Sequence, residues 1–423
     1  MTFGLIPVVA LVILNPCNLI PLQFCREGIL ADLFDKCHNF TLARELQEQG
    51  WYPYFQKIQS GADMEVIIDG KKLIMVGSNN YLGLTQDPRI KKAAIDAVNE
   101  FGSGCTGSRY LNGTLSLHVE LEEKLAEFMN AEAALIFSTG YQTNLGTLST
   151  LAGRDDIIFA DRNNHASIVD GNRLSFGRVR RFKHNDMKDL DRLLAAANPN
   201  SGKLIVVDGV FSMEGNLIDL PGVVKLAQKY GARVMVDDAH SVGVFGKHGR
   251  GTAEHFDLEA DVDITMSTFS KSFASLGGYI SGKTDVLHYI KHHSRALIFS
   301  ASMTPASVAS VLAALKIIQG EPERREKLWQ NVRKMKSAFD EMGFDTCGSE
   351  SPIIPIVVGE MLDTFKFWKR LFQNGVFANP AVPPAVPVGQ SLIRTSYMAT
   401  HTDEDLNKVL DIFEKTGKDL GLI

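Results

Sequence analysis

Cysteine is sparse in this chain, and what there is does not pair by spacing. Five residues (Cys17, Cys25, Cys37, Cys105 and Cys347) are scattered over 423 positions, odd in number and without a C-x-x-C pair. This excludes a disulfide framework and a structural zinc site, and it points to a reducing compartment. Basic charge is not in excess either. With a formal net charge of −5, the chain lacks the basic stripe that a nucleic-acid partner needs. The apolar opening, Phe3 to Leu14, is too short to span a bilayer, and it lacks the basic start and small-residue cleavage site of a signal peptide. For residues 1–30 a dispensable extension, a peripheral membrane-surface contact and an anchor all stay open. The glycine-rich stretch FGSGCTGSRYLNGT fits neither G-x-x-x-x-G-K-[ST] nor G-x-G-x-x-G after a strand, which disfavours a nucleotide site there.

What is present describes a globular chain. Hydrophobic residues make up 45% and charged residues 22%, and the length allows a substantial core in two domains. Leu33, Phe34, Leu42, Leu46 and Trp51 keep approximate helical spacing, which predicts a helix within 31–59. Val66 to Leu84 reads as a hairpin turning on Asp69-Gly70 and leading into Ser78, Asn79, Asn80 and Tyr81. Pro88 opens a helix over 88–100. Leu115 to Met129 is a second, amphipathic one.

From Ala133 a βα alternation begins. Strands are expected at Ala133–Phe137, Ile157–Ala160, Val179–Phe182, Leu204–Asp208, Val234–Asp237 and Ile264–Thr268, with helical segments between most of them. Such a pattern predicts the α/β class: a large domain whose mostly parallel sheet is covered by helices on both faces. After Glu321 the character changes to helix, strand, helix, the proline-rich NPAVPPAVP, the strand Ser391–Ser396 and a last helix from Asp403. This reads as a smaller C-terminal α+β domain. The expected division is 1–30, 31–85, 86–318 and 319–423.

The chemistry gathers where the strands end. His165, Asp208, Ser212, Asp237, His240 and Lys271 all lie just past C-terminal strand ends, the edge at which open α/β sheets hold ligands. Lys271 stands among the hydroxyls of Ser267, Thr268, Ser270 and Ser272, a setting that suits Schiff-base chemistry or anion binding. An ordinary amine is mostly protonated at neutral pH, so the first use requires surroundings that lower its pKa. Ser138-Thr139-Gly140-Tyr141, at the start of a helix, offers free N–H groups and hydroxyls to a phosphate. A lysine, a phosphate cup, an acid on the neighbouring strand and a flat ring partner are together what pyridoxal 5′-phosphate requires. The acid is there to stabilise a protonated ring nitrogen.

VDDAHSVGVFGKHGRG and TFSKSFASLGGYISG resemble the fold-type-I pyridoxal-phosphate enzymes, and among them the α-oxoamine synthases. The resemblance runs from about Phe34 to the C-terminus. It implies that Lys271 bonds the cofactor and later removes a Cα proton, and that His165 stacks on the ring. By the same likeness Asp237 pairs with the ring nitrogen, while His240 and Ser212 lie at the ring hydroxyl. Gly140, Tyr141, Thr268 and Ser270 form the phosphate cup, which Ser300 and Ala301 complete from the other subunit of a homodimer with shared active sites. Arg394 takes an amino-acid carboxylate, assisted by Asn80. GSGCTGSRYLNGTLSLHVELE and SASMTPASVAS are most similar to the soluble member that condenses L-serine with a long-chain acyl-CoA, which implies a cytoplasmic acyltransferase. Sibling synthases acting on glycine or alanine are the alternative. A non-catalytic partner subunit is another, and such subunits typically lack the lysine.

Overall fold

The computed structural model describes residues 32–423, so the expectations for the apolar opening lie outside the described residues. A seven-stranded sheet forms the body. In space its strands run Ala133–Phe137, Gly278–Gly282, Ile264–Thr268, Arg233–Asp237, Lys203–Asp208, Ile157–Asp161 and Arg178–Phe182. The last five pair in parallel, and Gly278–Gly282 runs antiparallel to both of its neighbours. That reversal has a short cause. Only Phe269 to Gly277 separate it from the preceding strand, too few for a helical crossover, so the chain turns back directly. The turn it makes carries Lys271.

Alternation along the strands divides the core in two. Phe159, Ile205, Val207, Val234 and Val236 pack on one face under the helices Met187–Ala195 and Leu220–Tyr230. Phe137, Ile158, Val206, Met235, Met266 and Ile280 pack on the other, under Gly140–Leu151, Ala166–Leu174 and Thr284–His293. With both faces covered, the central strands Ile157–Asp161, Lys203–Asp208 and Arg233–Asp237 are apolar inside and end on aspartates.

The C-terminal part has a three-stranded antiparallel sheet, Ile353–Gly359, Ser391–Ser396 and Asn379–Ala381. The helices Glu323–Met342, Met361–Gln373 and Asp403–Leu420 pack on it. The hairpin Glu65–Ile68/Lys71–Met75 forms as expected, and it gains a parallel third strand from the far end of the chain, Val376–Phe377. One expectation fails. Within the span expected as a helix, residues 32–59 make not one helix but two short ones, Asp35–His38 and Leu42–Glu48, followed by irregular chain. Gly50 at φ +65 ends the second, and Pro53 prevents resumption. Only Leu46 in those two helices is buried, so the apolar spacing there does not mark a core stripe.

Candidate active site

The strands Ala133–Phe137, Ile157–Asp161, Lys203–Asp208, Arg233–Asp237 and Ile264–Thr268 turn their C-terminal ends toward a cavity of about 270 Å³. Its walls include Gly140, Tyr141, His165, Asp208, Ser212, Asp237, His240, Thr268, Ser270 and Lys271. Nine of the thirteen residues expected at the site therefore line one cavity, and Asn80, Ser300, Ala301 and Arg394 do not. Lys271 is placed by its turn. Phe269 and Phe273 on either side are fully buried, and the turn is closed by Phe269 N–H to Gly277 O (2.9 Å) and Ala274 N–H to Lys271 O (2.9 Å). Burial lowers the Lys271 amine to about 8, with Arg394 pushing the same way and Asp237 and Asp208 opposing. At pH 7 roughly a tenth of it is then unprotonated and nucleophilic, against well under a thousandth for an ordinary lysine.

Asp237 ends its strand with both oxygens engaged. Oδ1 accepts from the Ala239 N–H at 3.0 Å, and Oδ2 accepts from Asn144 Nδ2 at 2.6 Å. Asn144 is fully buried and also donates to Ser167 Oγ at 2.8 Å. Its role was missed in the sequence, although an asparagine four residues into a helix, amid other buried polar positions, is a signal of a kind. Asp208, beside Asp237, is held well above the ordinary carboxylate range by burial first and then by its neighbour's charge. Its Oδ2 accepts the His165 N–H at 2.9 Å, and its Oδ1 has no partner.

His165 caps the helix Ala166–Leu174. Its Nδ1 accepts the Ser167 N–H at 3.3 Å and lies 2.7 Å from Ser167 Oγ. An N–H can only donate, so Nδ1 carries the lone pair and Nε2 the proton. Burial lowers its pKa, keeping the ring neutral. His165 therefore presents a neutral donor to the cavity it lines.

The anion cup is built from a helix start and a strand end. Thr139 caps Gly140–Leu151 by accepting the Gln142 N–H at 3.1 Å, and the N–H groups of Gly140 and Tyr141 have no acceptor within the helix. Thr268 Oγ1 lies 2.9 Å from Ser270 Oγ. A Cβ at Gly140 would come within 2.6 Å of Thr268 Oγ1, so only glycine lets the helix start approach the strand end this closely. The Tyr141 hydroxyl donates to the Asp170 carboxylate, which leaves its backbone to serve the cup. Ser300 and Ala301 stand elsewhere. Ser300 Oγ accepts from Gln142 Nε2 at 2.9 Å and the Ala301 carbonyl accepts from Ser138 Oγ, but neither lines this chain's own cavity.

Arg394 reaches the same region from the C-terminal sheet. Its Nε donates to the Ser212 carbonyl at 2.6 Å and its Nη2 to Asn79 Oδ1 at 2.9 Å. The expected helper needs correcting here. Asn80 turns its amide into its own loop, donating to Thr85 Oγ1 at 2.8 Å and accepting the Leu84 N–H at 2.9 Å, while Asn79 faces the arginine. His240 Nδ1 lies 2.7 Å from the Tyr81 hydroxyl. Burial, then the charges of Lys271, Arg394 and His165, hold His240 well below its usual pKa.

The donor set fits pyridoxal 5′-phosphate. A cup of free N–H groups and hydroxyls, a depressed amine and a two-donor carboxylate surround a cavity part-walled by Val210, Met266 and Leu276. Fold and site together define a fold-type-I pyridoxal-phosphate enzyme. The chain belongs to the family "Aminotransferase class I and II", whose model matches residues 71–413. Within it, the chain is 53% identical to a serine palmitoyltransferase of Sphingobacterium spiritivorum over 387 residues, 90% of this chain and 97% of that one. An 8-amino-7-oxononanoate synthase of Symbiobacterium thermophilum is 44% identical, covering 89% and 97%. Among solved structures, the serine palmitoyltransferase of S. paucimobilis with bound PLP and myriocin superposes with a TM-score of 0.90. It is 36% identical and covers 93% of this chain and all of that one (100%).

Proposed function

We propose that the chain acts as a serine palmitoyltransferase. It condenses L-serine with a long-chain acyl-CoA and releases CoA and CO2, leaving 3-oxosphinganine. The observation that carries this reading is the Lys271 amine, lowered to about 8, in one cavity with Asp237 and the Gly140 cup and within reach of Arg394. The relatives named above give the substrate pair. When bound, the cofactor supplies a covalent hold on the substrate's amino group and a sink for the electron pair released at Cα.

The chain's residues do the rest. Arg394 has donors left on its guanidinium after serving Ser212 and Asn79, and these take the serine carboxylate. Asp237, fixed by Asn144 and Ala239, would pair with the cofactor's ring nitrogen. Lys271 Nζ takes the Cα proton, and Cα then attacks the thioester carbonyl. The Nε2–H of His165 donates to the oxygen that gains charge in that attack. The CoA sulfur leaves, the carboxylate departs as CO2, and Lys271 returns a proton to Cα. Ser300 and Ala301 complete the cup of a second copy, so the working unit is a homodimer. Phe299 beside them exposes 78% of its surface, an apolar residue suited to such a contact. We place the reaction in the cytoplasm, in keeping with the free thiols of Cys37, Cys105 and Cys347. Among the described residues, no helix is long and apolar enough to cross a membrane.

Product identification tests the reading. Purified protein with pyridoxal phosphate, palmitoyl-CoA and either serine, glycine or alanine is analysed by mass spectrometry. Serine is expected to give 3-oxosphinganine, and Lys271→Ala to abolish both product and the visible absorbance of bound cofactor. Preferred turnover of glycine or alanine would transfer the chain to a sibling activity. Turnover by Lys271→Ala would remove that lysine from the mechanism.

A further inference from the structure

Four side chains from distant parts of the sequence form one hydrogen-bonded line beside the cavity. Arg394 Nη2 donates to Asn79 Oδ1 at 2.9 Å, the Tyr81 hydroxyl donates to the same oxygen at 3.3 Å, and that hydroxyl lies 2.7 Å from His240 Nδ1. Donor arithmetic fixes the protons. A guanidinium has only donors, so the atom Asn79 turns toward it is its amide oxygen. Tyr81 can then reach that oxygen only by giving its single proton. Its own oxygen is left to accept, so Nδ1 of His240 carries the proton and Nε2 a lone pair. Tyr81 is fully buried, and burial raises its pKa to about 12, which keeps the hydroxyl intact. The ionisable groups facing His240 are Lys271, Arg394 and His165, with Asp237 and Asp208 on the adjoining strand ends.

We propose that Asn79 and Tyr81 couple capture of the substrate carboxylate at Arg394 to protonation of the cofactor's ring hydroxyl beside His240. This rests on the cofactor reading above. A carboxylate on the open edge of Arg394 cancels its charge and weakens its donation to Asn79. The freed oxygen draws more strongly on the Tyr81 proton, the Tyr81 oxygen becomes a better acceptor, and the His240 Nδ1–H is pulled toward it. Hydrogen bonds in a chain polarise one another in this way. Nε2 gains basicity, and the proton it shares with the ring hydroxyl is held more firmly. Asn79 and Tyr81 are positioning residues here, since neither need touch the reacting atoms.

The test uses holoenzyme and 3-hydroxypropionate, the serine skeleton without its amino group. Binding is followed by the visible absorbance of the cofactor across pH. Wild-type protein is expected to bind the acid about fivefold more tightly on the acid side of the cofactor's titration than on the alkaline side, the reciprocal of a raised proton affinity. Tyr81→Phe removes only the hydroxyl, and Asn79→Leu only the shared acceptor. In both the ratio should fall below about twofold. A wild-type ratio in Tyr81→Phe means that Arg394 acts on His240 through space alone, and it overturns the relay. If one variant fails to fold, the other decides. A coloured wild-type protein with no pH-dependent ratio overturns the coupling by itself, whereas a colourless one overturns the cofactor reading and the coupling together.

Discussion

Removing the Asn144 amide tests how firmly the site's central charge must be held. Its Nδ2 donates to Asp237 Oδ2 at 2.6 Å and to Ser167 Oγ at 2.8 Å, with all three side chains buried. In Asn144→Leu the branched shape is kept and both donations are lost, leaving Asp237 with the Ala239 N–H alone. A hydrogen bond to a charged partner is worth about 1.5–3 kcal/mol. If that energy aims the carboxylate at the ring nitrogen, its loss appears at the transition state. Each 1.36 kcal/mol is a factor of ten in rate, so kcat/KM should fall by about 10- to 100-fold at saturating cofactor. Stability should suffer less. Asn144 Oδ1 has no partner in the folded protein, and leucine removes that orphan along with the donors. We expect a loss of about 1 kcal/mol in urea unfolding of the cofactor-free chain. Asn144→Asp sets a second carboxylate against Asp237 and should be worse in both measurements. A kcat/KM for Asn144→Leu within about threefold of wild type would refute the view that this donor positions the charge.

Cofactor uptake by the stripped protein should accelerate with pH and level off near the lowered Lys271 pKa of about 8; a rate still climbing near the ordinary lysine value of about 10.4 would contradict that environment. The same group contributes a rise in cofactor-free stability with pH. Between the folded value and the higher unfolded one the unfolded chain binds the extra proton, and thermal unfolding across that interval checks the sign. Gly140→Ala would set a Cβ 2.6 Å from Thr268 Oγ1 and 2.8 Å from its Cβ. Overpacking of this kind costs about 1–3 kcal/mol, so the dissociation constant of pyridoxal phosphate should rise about tenfold or more, and equilibrium titration showing no change would count against the cup. Arg394→Lys loses the fork that spans Ser212 and Asn79, so KM for serine should rise by about tenfold or more with kcat less affected, and equal losses in both would mean that Arg394 acts mainly in the transition state.

The parts legible from sequence were those with a local cause. The six strands expected in the large sheet formed within a residue of their expected ends, because short β-branched runs between helical segments have few other uses, whereas its seventh, Gly278–Gly282, was not anticipated. The cofactor residues were legible for a related reason: each follows a strand, and the strands converge. Asn144 and Tyr81 were not, because their meaning lies in partners far off in sequence. Asn79 and Asn80 are adjacent amides that only the turn of the loop can tell apart. The helix Pro305–Gly320 escaped because it is apolar nearly all round, so it shows no amphipathic period. The reverse error occurred at 31–59, where apolar spacing was present without a buried face.

The residues that line this chain's own cavity, from Thr139 to Gly277, lie on one continuous length of chain. The clamp for the amino acid does not. Asn79 and Arg394 come from opposite ends and meet because the Ser396 N–H donates to the Val76 carbonyl at 2.7 Å and Ser396 Oγ to the Ser78 carbonyl at 2.6 Å. On the ribosome this chain's own share of the coenzyme pocket can therefore be made while the clamp still lacks its arginine. In the finished enzyme, any breathing of that seam loosens the grip on serine and spares the colour of the protein. Amino-acid affinity thus becomes a gauge of whether the two ends of the chain are closed on each other.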